Sequence, residues 1–172
     1  MDKKLRIGVI GAGRIGKLHA NNLKNAVPGA AVTAISDVNL LSAKALAATL
    51  GVGKVYQEYQ QLLDDPDVDA VFICASTDMH SPISIAAAKA GKHIFCEKPI
   101  DHDLGKIEEV LKAVKEAGVK YQVGFNRRFD RNFKKVRETV REGKIGDVHI
   151  VRVTSRDPEA PPPSYVKTSG GI

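Results

Sequence analysis

The sequence has little cysteine and no long uninterrupted apolar run. Only Cys74 and Cys96 occur in 172 residues, and both lie in apolar segments typical of strands. That placement favours two buried, reduced thiols, because a disulfide framework or a metal centre needs more ligands at suitable spacing. No run of about 18 apolar residues is present, as a membrane-spanning helix would require. We therefore expect no structural metal and no membrane partner.

The N-terminal segment lacks the pattern of a secretory signal. In MDKKLRIGVIGAG the apolar stretch is short and is interrupted early by glycine. Signal peptides carry a longer apolar region before their cleavage site. Hydrophobic residues make up 43% and charged residues 27% of the chain, which is ordinary for a globular protein. We expect a cytoplasmic protein.

Residues 1–119 have no excess charge of either sign, since they contain 14 Lys and Arg and 14 Asp and Glu. Residues 120–172 contain 12 Lys and Arg but only 6 Asp and Glu, so the net charge of +6 lies entirely in this part. The basic segment NRRFDRNFKKVRETVREGK could contact nucleic acid, but no helix-turn-helix, zinc or aromatic-platform pattern accompanies it. We expect a solvated helix face with arginines directed at an anionic or polyhydroxylated ligand, and no nucleic-acid partner.

Short β-rich runs alternate with helical segments from residue 5 to residue 124. This order, with strands that are apolar nearly throughout, predicts an α/β fold with a doubly wound parallel sheet. The predicted strands are LRIGVIG, AAVTAISD, KVYQ, AVFICAS, HIFCEK and YQVGF. Helices are predicted at 14–26, 39–50, 58–64, 79–90, 103–117 and 130–143, with Asp103 as an N-cap and Gly91 and Gly118 as left-handed terminators.

After Gly143 the pattern changes. Apolar and polar residues alternate in IGDVHIVRVTSRD, which predicts a strand at residues 147–155 with one face exposed to solvent. A proline- and glycine-rich loop follows. This strand either joins the edge of the first sheet or begins a second domain, and the second alternative is favoured. We thus predict a nucleotide-binding domain at 1–124, a connecting helical region at 125–146, and only the beginning of a second α/β domain at 147–172.

A glycine pattern follows the first strand directly. Gly11, Gly13 and Gly16 form G-x-G-x-x-G between a predicted strand and a predicted helix. Gly11 permits the tight turn, Gly13 lets the backbone approach a pyrophosphate, and Gly16 allows close helix packing. The backbone N–H groups of Arg14 and Ile15 are the expected donors to the anion. The spacing alone is weak evidence, but its position between strand and helix favours dinucleotide binding over a plain glycine turn.

Asp37 ends the second predicted strand, at the distance where dinucleotide-binding proteins place an acidic residue. Its carboxylate can accept hydrogen bonds from both hydroxyls of the adenosine ribose. A 2′-phosphate would meet a like charge, a repulsion of roughly 4 kcal/mol per charge pair at about 4 Å. NAD is therefore predicted in preference to NADP. A methyltransferase that uses S-adenosylmethionine could share these two features, but it leaves the following lysine unexplained.

Lys98 is the last residue of the fifth predicted strand, in IFCEKPI. Ligands of open parallel sheets bind beyond the carboxyl ends of the strands, so topology directs Lys98 toward the reactive part of the cofactor. An ammonium group there can stabilise alkoxide character on a hydroxyl as hydride leaves the adjacent carbon. Desolvation could also lower the pKa of Lys98 enough for proton transfer. Pro99 could hold a cis peptide bond. A surface lysine at a strand end is the simpler alternative.

Three segments, RIGVIGAGRIGKLHA, VFICASTDMHSPISIAAAKAGKHIFCEKP and YQVGFNRRFD, together resemble the glucose-fructose oxidoreductase, inositol dehydrogenase and rhizopine catabolism family of oxidoreductases. The last part of the chain resembles the inositol 2-dehydrogenase branch. The resemblance implies an N-terminal Rossmann domain that binds NAD. It also implies a C-terminal α/β domain that supplies much of the substrate pocket and the interface of a homo-oligomer.

The resemblance also implies roles for individual residues. Lys98 corresponds to the catalytic lysine and Glu97 to its motif neighbour at the cofactor. Ser76, Thr77 and His80 belong to the cofactor-side loop, although His80 could instead simply hydrogen-bond that loop. Arg127 or Arg128 approaches the substrate.

The family's catalytic base is a histidine in an Asp-x-x-x-His motif of the second domain. No such motif occurs in residues 125–172, so the chain resembles a family member that ends before its base. The expected reaction is NAD-dependent oxidation of a secondary alcohol of a cyclitol or sugar, with conversion of myo-inositol to 2-keto-myo-inositol favoured. The chain by itself is expected to bind NAD without turnover. The alternative is a non-catalytic NAD-binding module that senses redox state or acts as a scaffold.

Overall fold

The chain alternates short strands with helices, as the sequence predicts. The computed structural model describes residues 4–156, 159–160 and 166. The strands are β1 Leu5–Ile10, β2 Ala30–Ser36, β3 Lys54–Tyr56, β4 Ala70–Ile73, β5 His93–Cys96 and β6 Tyr121–Val123. The α-helices are α1 Arg14–Ala26, α2 Leu40–Leu50, α3 Tyr59–Leu63, α4 Thr77–Lys89, α5 Leu104–Ala117 and α6 Arg131–Arg141.

All six strands pair in parallel in the order β3-β2-β1-β4-β5-β6. The central strand β1 pairs with β2 on one side and β4 on the other. The chain therefore adds β2 and β3 on one side of β1, and then β4, β5 and β6 on the other side. The predicted doubly wound parallel sheet is therefore confirmed. Because the strands are parallel, the segments that follow β1, β2, β4 and β5 all emerge at one edge of the sheet, where such folds bind ligands.

Both faces of the sheet are covered, which explains why its strands are apolar at successive positions. In β1, Ile7 and Val9 pack into one hydrophobic cluster, whereas Ile10 packs into the other. Gly8 lies on the same face as Ile10, and a Cβ there would come within 2.5 Å of Leu62. Glycine at this position thus lets α3 pack directly against the central strand.

Several helix ends are made by the residues that the sequence indicates. Asp103 accepts a hydrogen bond from the Lys106 N–H at the start of α5. Gly91 and Gly118 adopt the left-handed backbone conformation after α4 and α5, with φ of 70° and 65°. None of the helices in the described part of the chain is long and apolar enough to cross a membrane.

The chain divides into two compact units, Met1–Gly124 and Phe125–Ile172. In the second unit, a 3-10 turn at Asn126–Phe129 precedes α6, which Asp130 caps by accepting hydrogen bonds from two backbone N–H groups. The strand predicted at 147–155 is absent: residues 148–156 have no regular secondary structure. Val151 and Val153 are about three-quarters exposed there. A strand forms only when a neighbour satisfies its N–H and C=O groups, and local alternation cannot supply that neighbour.

Both cysteines are free thiols, in agreement with the sequence prediction. Cys96 is fully buried at the end of β5, and burial raises the pKa of its thiol to about 11. Cys74 is partly buried after β4, and its pKa is also raised, first by burial and then by the charge of Glu97. A raised pKa keeps both sulfurs in the unreactive thiol form near neutral pH.

We predict that Cys74 and Cys96 react slowly with a thiol reagent in the folded chain. At about pH 8 few thiolates are present, because both pKa values lie above the usual thiol value near 8.5. Ellman's reagent should titrate both thiols quickly in guanidinium chloride and neither quickly without it. Rapid reaction of two thiols in the folded protein would contradict this placement.

Candidate active site

The turn between β1 and α1 is built by close contacts between backbones. Gly11 has a φ of +100°, and a Cβ there would lie 2.5 Å from the Cys74 carbonyl oxygen. At Gly16 a Cβ would lie 1.8 Å from the Gly11 carbonyl oxygen. Any larger residue at Gly11 or Gly16 would therefore push α1 away from the sheet. The glycine pattern thus sets the position of the helix N-terminus.

The third glycine, Gly13, faces open space instead. It directly precedes α1, and no described atom lies within 4 Å of the position that a Cβ would take. The first bond of the helix runs from the Lys17 N–H to the Gly13 carbonyl at 2.9 Å. The N–H groups of Arg14 and Ile15 therefore precede the helical bonding pattern and can bind an anion. No acidic residue stands in the first turn of α1, so this loop fits a pyrophosphate.

Asp37 lies beside this loop at the end of β2. Its Oδ2 accepts a hydrogen bond from the Ala12 N–H at 2.6 Å, and its Oδ1 accepts one from the Asn39 N–H at 2.8 Å. Asp37 thus helps to hold the glycine loop in place. Asp37 is partly exposed, and a carboxylate has about four lone-pair positions, so it can still accept hydrogen bonds from ribose hydroxyls.

A cavity of about 270 Å³ opens next to Asp37, between the ends of β2 and β4. Ligand pockets are usually about 300–1,000 Å³, so this cavity suits one part of a dinucleotide, such as its adenine ring. The lining is mainly apolar. It includes Ser36, Asp37 and Val38 at the end of β2, and Ala75, Ser76 and Met79 around the start of α4.

The three residues predicted for the cofactor-side loop lie at different depths. Ser76 is exposed and lines the cavity, and Thr77 is the partly exposed first residue of α4. His80 is only 2% exposed. Its Nδ1 lies 2.7 Å from the Pro99 carbonyl oxygen and its Nε2 lies 3.1 Å from that of Ala75. This geometry favours the second interpretation of His80, as a residue that hydrogen-bonds the loop.

Lys98 follows β5 at the same sheet edge as the glycine loop. The Glu97 N–H donates to the Ile73 carbonyl at 3.0 Å, which aligns this turn with the end of β4. Lys98 is exposed, and the Lys98–Pro99 peptide is cis, as the sequence analysis allowed. Between β1 and β5 only β4 intervenes.

One residue of this site was missed by sequence reasoning. His19, on α1, places its Nε2 at 2.7 Å from the Glu97 Oε1, and both side chains are about one-fifth exposed. Its ring also packs edge-on against Phe95, with 5.1 Å between ring centroids. The two partners are separated by 78 positions. The only available signal is that His19 lies on the helix that follows the glycine loop.

Arg127 and Arg128, predicted to approach the substrate, belong to the second unit. Both lie in the 3-10 turn before α6 and are exposed. The Arg127 guanidinium lies over the ring of Phe133 at 5.3 Å, and that of Arg128 lies over Phe125 at 5.9 Å. Stacking on these rings restricts both guanidinium groups, while their N–H donors stay accessible.

A glycine turn, an acidic strand end and an adjoining adenine-sized cavity, together with a lysine on the same edge, define a nicotinamide-dinucleotide-binding domain of an oxidoreductase. The family model described as "Oxidoreductase family, NAD-binding Rossmann fold" matches residues 5–125. The chain therefore belongs to this family, which is the glucose-fructose oxidoreductase, inositol dehydrogenase and rhizopine catabolism family predicted from the sequence. Its cofactor is NAD.

Similar proteins include inositol dehydrogenases. The chain is 51% identical to a myo-inositol 2-dehydrogenase from Thermotoga maritima, over 98% of this chain and 50% of the relative. A Thermotoga maritima crystal structure described as a probable dehydrogenase matches with a TM-score of 0.92, 51% identity and the same coverage of 98% and 50%. Scyllo-inositol dehydrogenase from Lactobacillus casei, with NAD(H) and scyllo-inositol bound, matches with a TM-score of 0.81 and 36% identity, over 84% and 43%. The chain spans about half the length of the curated relatives it matches.

We predict that Gly13→Ala weakens NADH binding without unfolding the chain. The new methyl group would enter the open space where the pyrophosphate is expected, so we expect a loss of affinity of about tenfold or more, equivalent to about 1.4 kcal/mol. Gly16→Ala should also lower the melting temperature, because its Cβ overlaps the Gly11 carbonyl. NADH fluorescence titration and thermal melts measure both effects.

The control is Gly29→Ala, since this glycine also has no described atom near its Cβ position but lies at the start of β2, at the opposite sheet edge. It should leave affinity and melting temperature unchanged. Unaltered NADH binding by Gly13→Ala would show that the pyrophosphate does not lie over this loop.

We predict that Asp37→Asn reduces the preference for NADH over NADPH by about tenfold or more. Removing the carboxylate charge removes its repulsion of a 2′-phosphate. Affinity for NADH should also fall, because asparagine has only one acceptor oxygen for the Ala12 and Asn39 N–H groups. Parallel titrations with NADH and NADPH give the ratio of the two affinities. The matched control is Asp64→Asn, at the exposed end of α3. An unchanged ratio of the NADH and NADPH affinities would mean that Asp37 does not contact the ribose.

Proposed function

We propose that this chain is the cofactor-binding part of a dehydrogenase that oxidises a secondary alcohol of a cyclitol or sugar. The favoured reaction is conversion of myo-inositol to 2-keto-myo-inositol. The observation that carries the proposal is the position of Lys98, which emerges at the same sheet edge as the glycine loop and Asp37. The inositol dehydrogenases among its relatives support the choice of substrate class.

Lys98 has a definite task in this reaction. Bound NAD supplies the hydride acceptor. The Lys98 ammonium donates a hydrogen bond to the reacting hydroxyl oxygen and stabilises the negative charge that develops there. The backbone before Lys98 is held by the bond from the Glu97 N–H to the Ile73 carbonyl. A donor that is placed before the reaction meets the developing charge with little reorganisation, which is why such donors contribute strongly to rate.

The substrate is a neutral polyhydroxylated ring, which needs hydrogen-bond donors more than charge. Arg127 and Arg128 are the proposed donors, since each guanidinium carries five N–H groups in a fixed plane. Stacking on Phe133 and Phe125 restricts their motion before substrate binds. Preorganised donors lose less entropy on binding than free side chains do.

Residues 1–172 alone should bind NAD without oxidising inositol, because they contain no Asp-x-x-x-His to accept the hydroxyl proton. We propose that the complete activity needs this chain joined to a second domain of the kind that its relatives' length allows. We also propose that the active protein is a cytoplasmic homo-oligomer. Its oligomeric state can be measured by light scattering.

We predict that Lys98→Met, in a protein that joins this chain to a complete second domain, lowers inositol turnover by about 100-fold or more. That is the usual effect of removing one hydrogen-bond donor to a developing negative charge. Affinity for NADH should remain, because the glycine loop and Asp37 are unaltered. Initial rates with NAD and myo-inositol, together with NADH titration, separate the two effects.

The matched control is Lys89→Met, at the exposed C-terminal end of α4. This variant should keep both turnover and NADH binding. Full turnover by Lys98→Met would contradict the proposed task of Lys98. Absence of inositol turnover in the parent joined protein, with NADH binding retained, would favour the non-catalytic NAD-binding module.

A further inference from the structure

Two histidines from different helices hold the turn that contains Lys98. His19 comes from α1 and contacts the Glu97 side chain. His80 comes from α4 and contacts the Pro99 carbonyl. We call His19 and His80 the histidine brace, since they engage the residues immediately before and after the lysine.

The contact through His80 is buried and involves both ring nitrogens. The Pro99 and Ala75 carbonyl oxygens can only accept hydrogen bonds, so the ring is the donor in any hydrogen bond that it forms with either of them. A neutral ring donates to one of them, and an imidazolium donates to both. In either form the ring occupies the gap between the loop after β4 and the lysine turn.

The contact through His19 reaches the backbone of Lys98 itself. The His19 Nε2–H donates to the Glu97 Oε1 at 2.7 Å, and the Glu97 Oε2 accepts the Lys98 N–H at 3.2 Å. The ring is held in turn by Phe95 and Phe72, which stack on each other with 4.5 Å between centroids. The carboxylate therefore joins the ring on α1 to the peptide of the lysine.

The helices that carry the brace begin at the two loops that face the dinucleotide. α1 starts at Gly13–Arg14 in the glycine turn, and α4 starts at Ser76–Thr77 beside the apolar cavity. Each loop is thus connected to the lysine turn through one helix and one histidine.

We propose that His19 and His80 are positioning residues that couple dinucleotide binding to the placement of Lys98. This inference rests on the proposed function, because it assumes that Lys98 acts at the bound cofactor. Neither histidine needs to touch substrate or NAD in this role. A purely structural role would instead stabilise the whole sheet, with no particular effect at residues 97–101.

Amide hydrogen exchange of the 172-residue chain, measured by mass spectrometry with and without NADH, tests the coupling. His80→Phe keeps a buried ring but removes both ring nitrogens, whereas His80→Asn keeps an N–H donor near the Nδ1 position. In the parent chain, NADH should slow exchange in peptides that cover residues 97–101. In His80→Phe, these peptides should exchange about fivefold faster without NADH, the factor equivalent to one hydrogen bond of average net strength.

NADH should still bind to His80→Phe but should no longer slow exchange at residues 97–101, and His80→Asn should recover part of the slowing. Peptides from α2, which is remote from the brace in the sequence, should exchange as in the parent. His149→Phe, at an exposed position of the second unit, is the control for the substitution itself. If His80→Phe does not fold, His19→Phe and His19→Gln replace the pair, since glutamine keeps a donor near the Nε2 position.

Uniformly faster exchange in His80→Phe, or full retention of the NADH effect, would overturn the coupling. Absence of an NADH effect on residues 97–101 in the parent chain would overturn it as well. The readout requires no turnover, so its failure is distinguishable from failure of the proposed reaction, which the Lys98→Met rates decide.

Discussion

The site depends on backbone-to-backbone contact between the first turn and the loop after β4. Gly11 and Gly16 leave no room for a side chain between α1, the turn and Cys74. Because of this contact, the N-terminus of α1 lies directly over the central strand, with its N–H groups directed to the sheet edge. A displaced helix would move the anion site and also His19, which lies one and a half turns further along α1.

The parallel sheet brings the remaining groups to the same edge. The segments after β2, β4 and β5 carry Asp37, Ser76 and Lys98. In the sheet, β2 and β4 are the neighbours of β1, and β5 is the neighbour of β4. Asp37 has a double role, because the carboxylate that would accept ribose hydroxyls also holds the Ala12 and Asn39 N–H groups. If Asp37 binds the ribose as proposed, a substitution there changes both the cofactor preference and the geometry of the loop.

Sequence reasoning predicted most of the fold and proposed polar groups that lie at the carboxyl edge of the sheet, with one wrong strand. The glycine turn, Asp37 and the helix ends at Asp103 and Gly118 were predictable, because each depends on the conformation of a few neighbouring residues. The strand at 147–155 was predicted from alternation alone and is not formed. Its alternation was genuine, but a strand is stabilised by a partner, and the described residues around it provide none.

The sequence alone determined the local chemistry of this protein: which strands are apolar enough to be buried, where glycine permits a tight turn, and where a carboxylate and an ammonium follow a strand. These properties are decided within a few residues by backbone sterics and side-chain polarity. The tertiary structure decided which of these groups meet. His19 reaches Glu97, and His80 reaches both Ala75 and Pro99, only because the strand order places α1 and α4 beside the end of β5. Contacts across so many positions depend on how whole elements pack, and no local pattern records that packing.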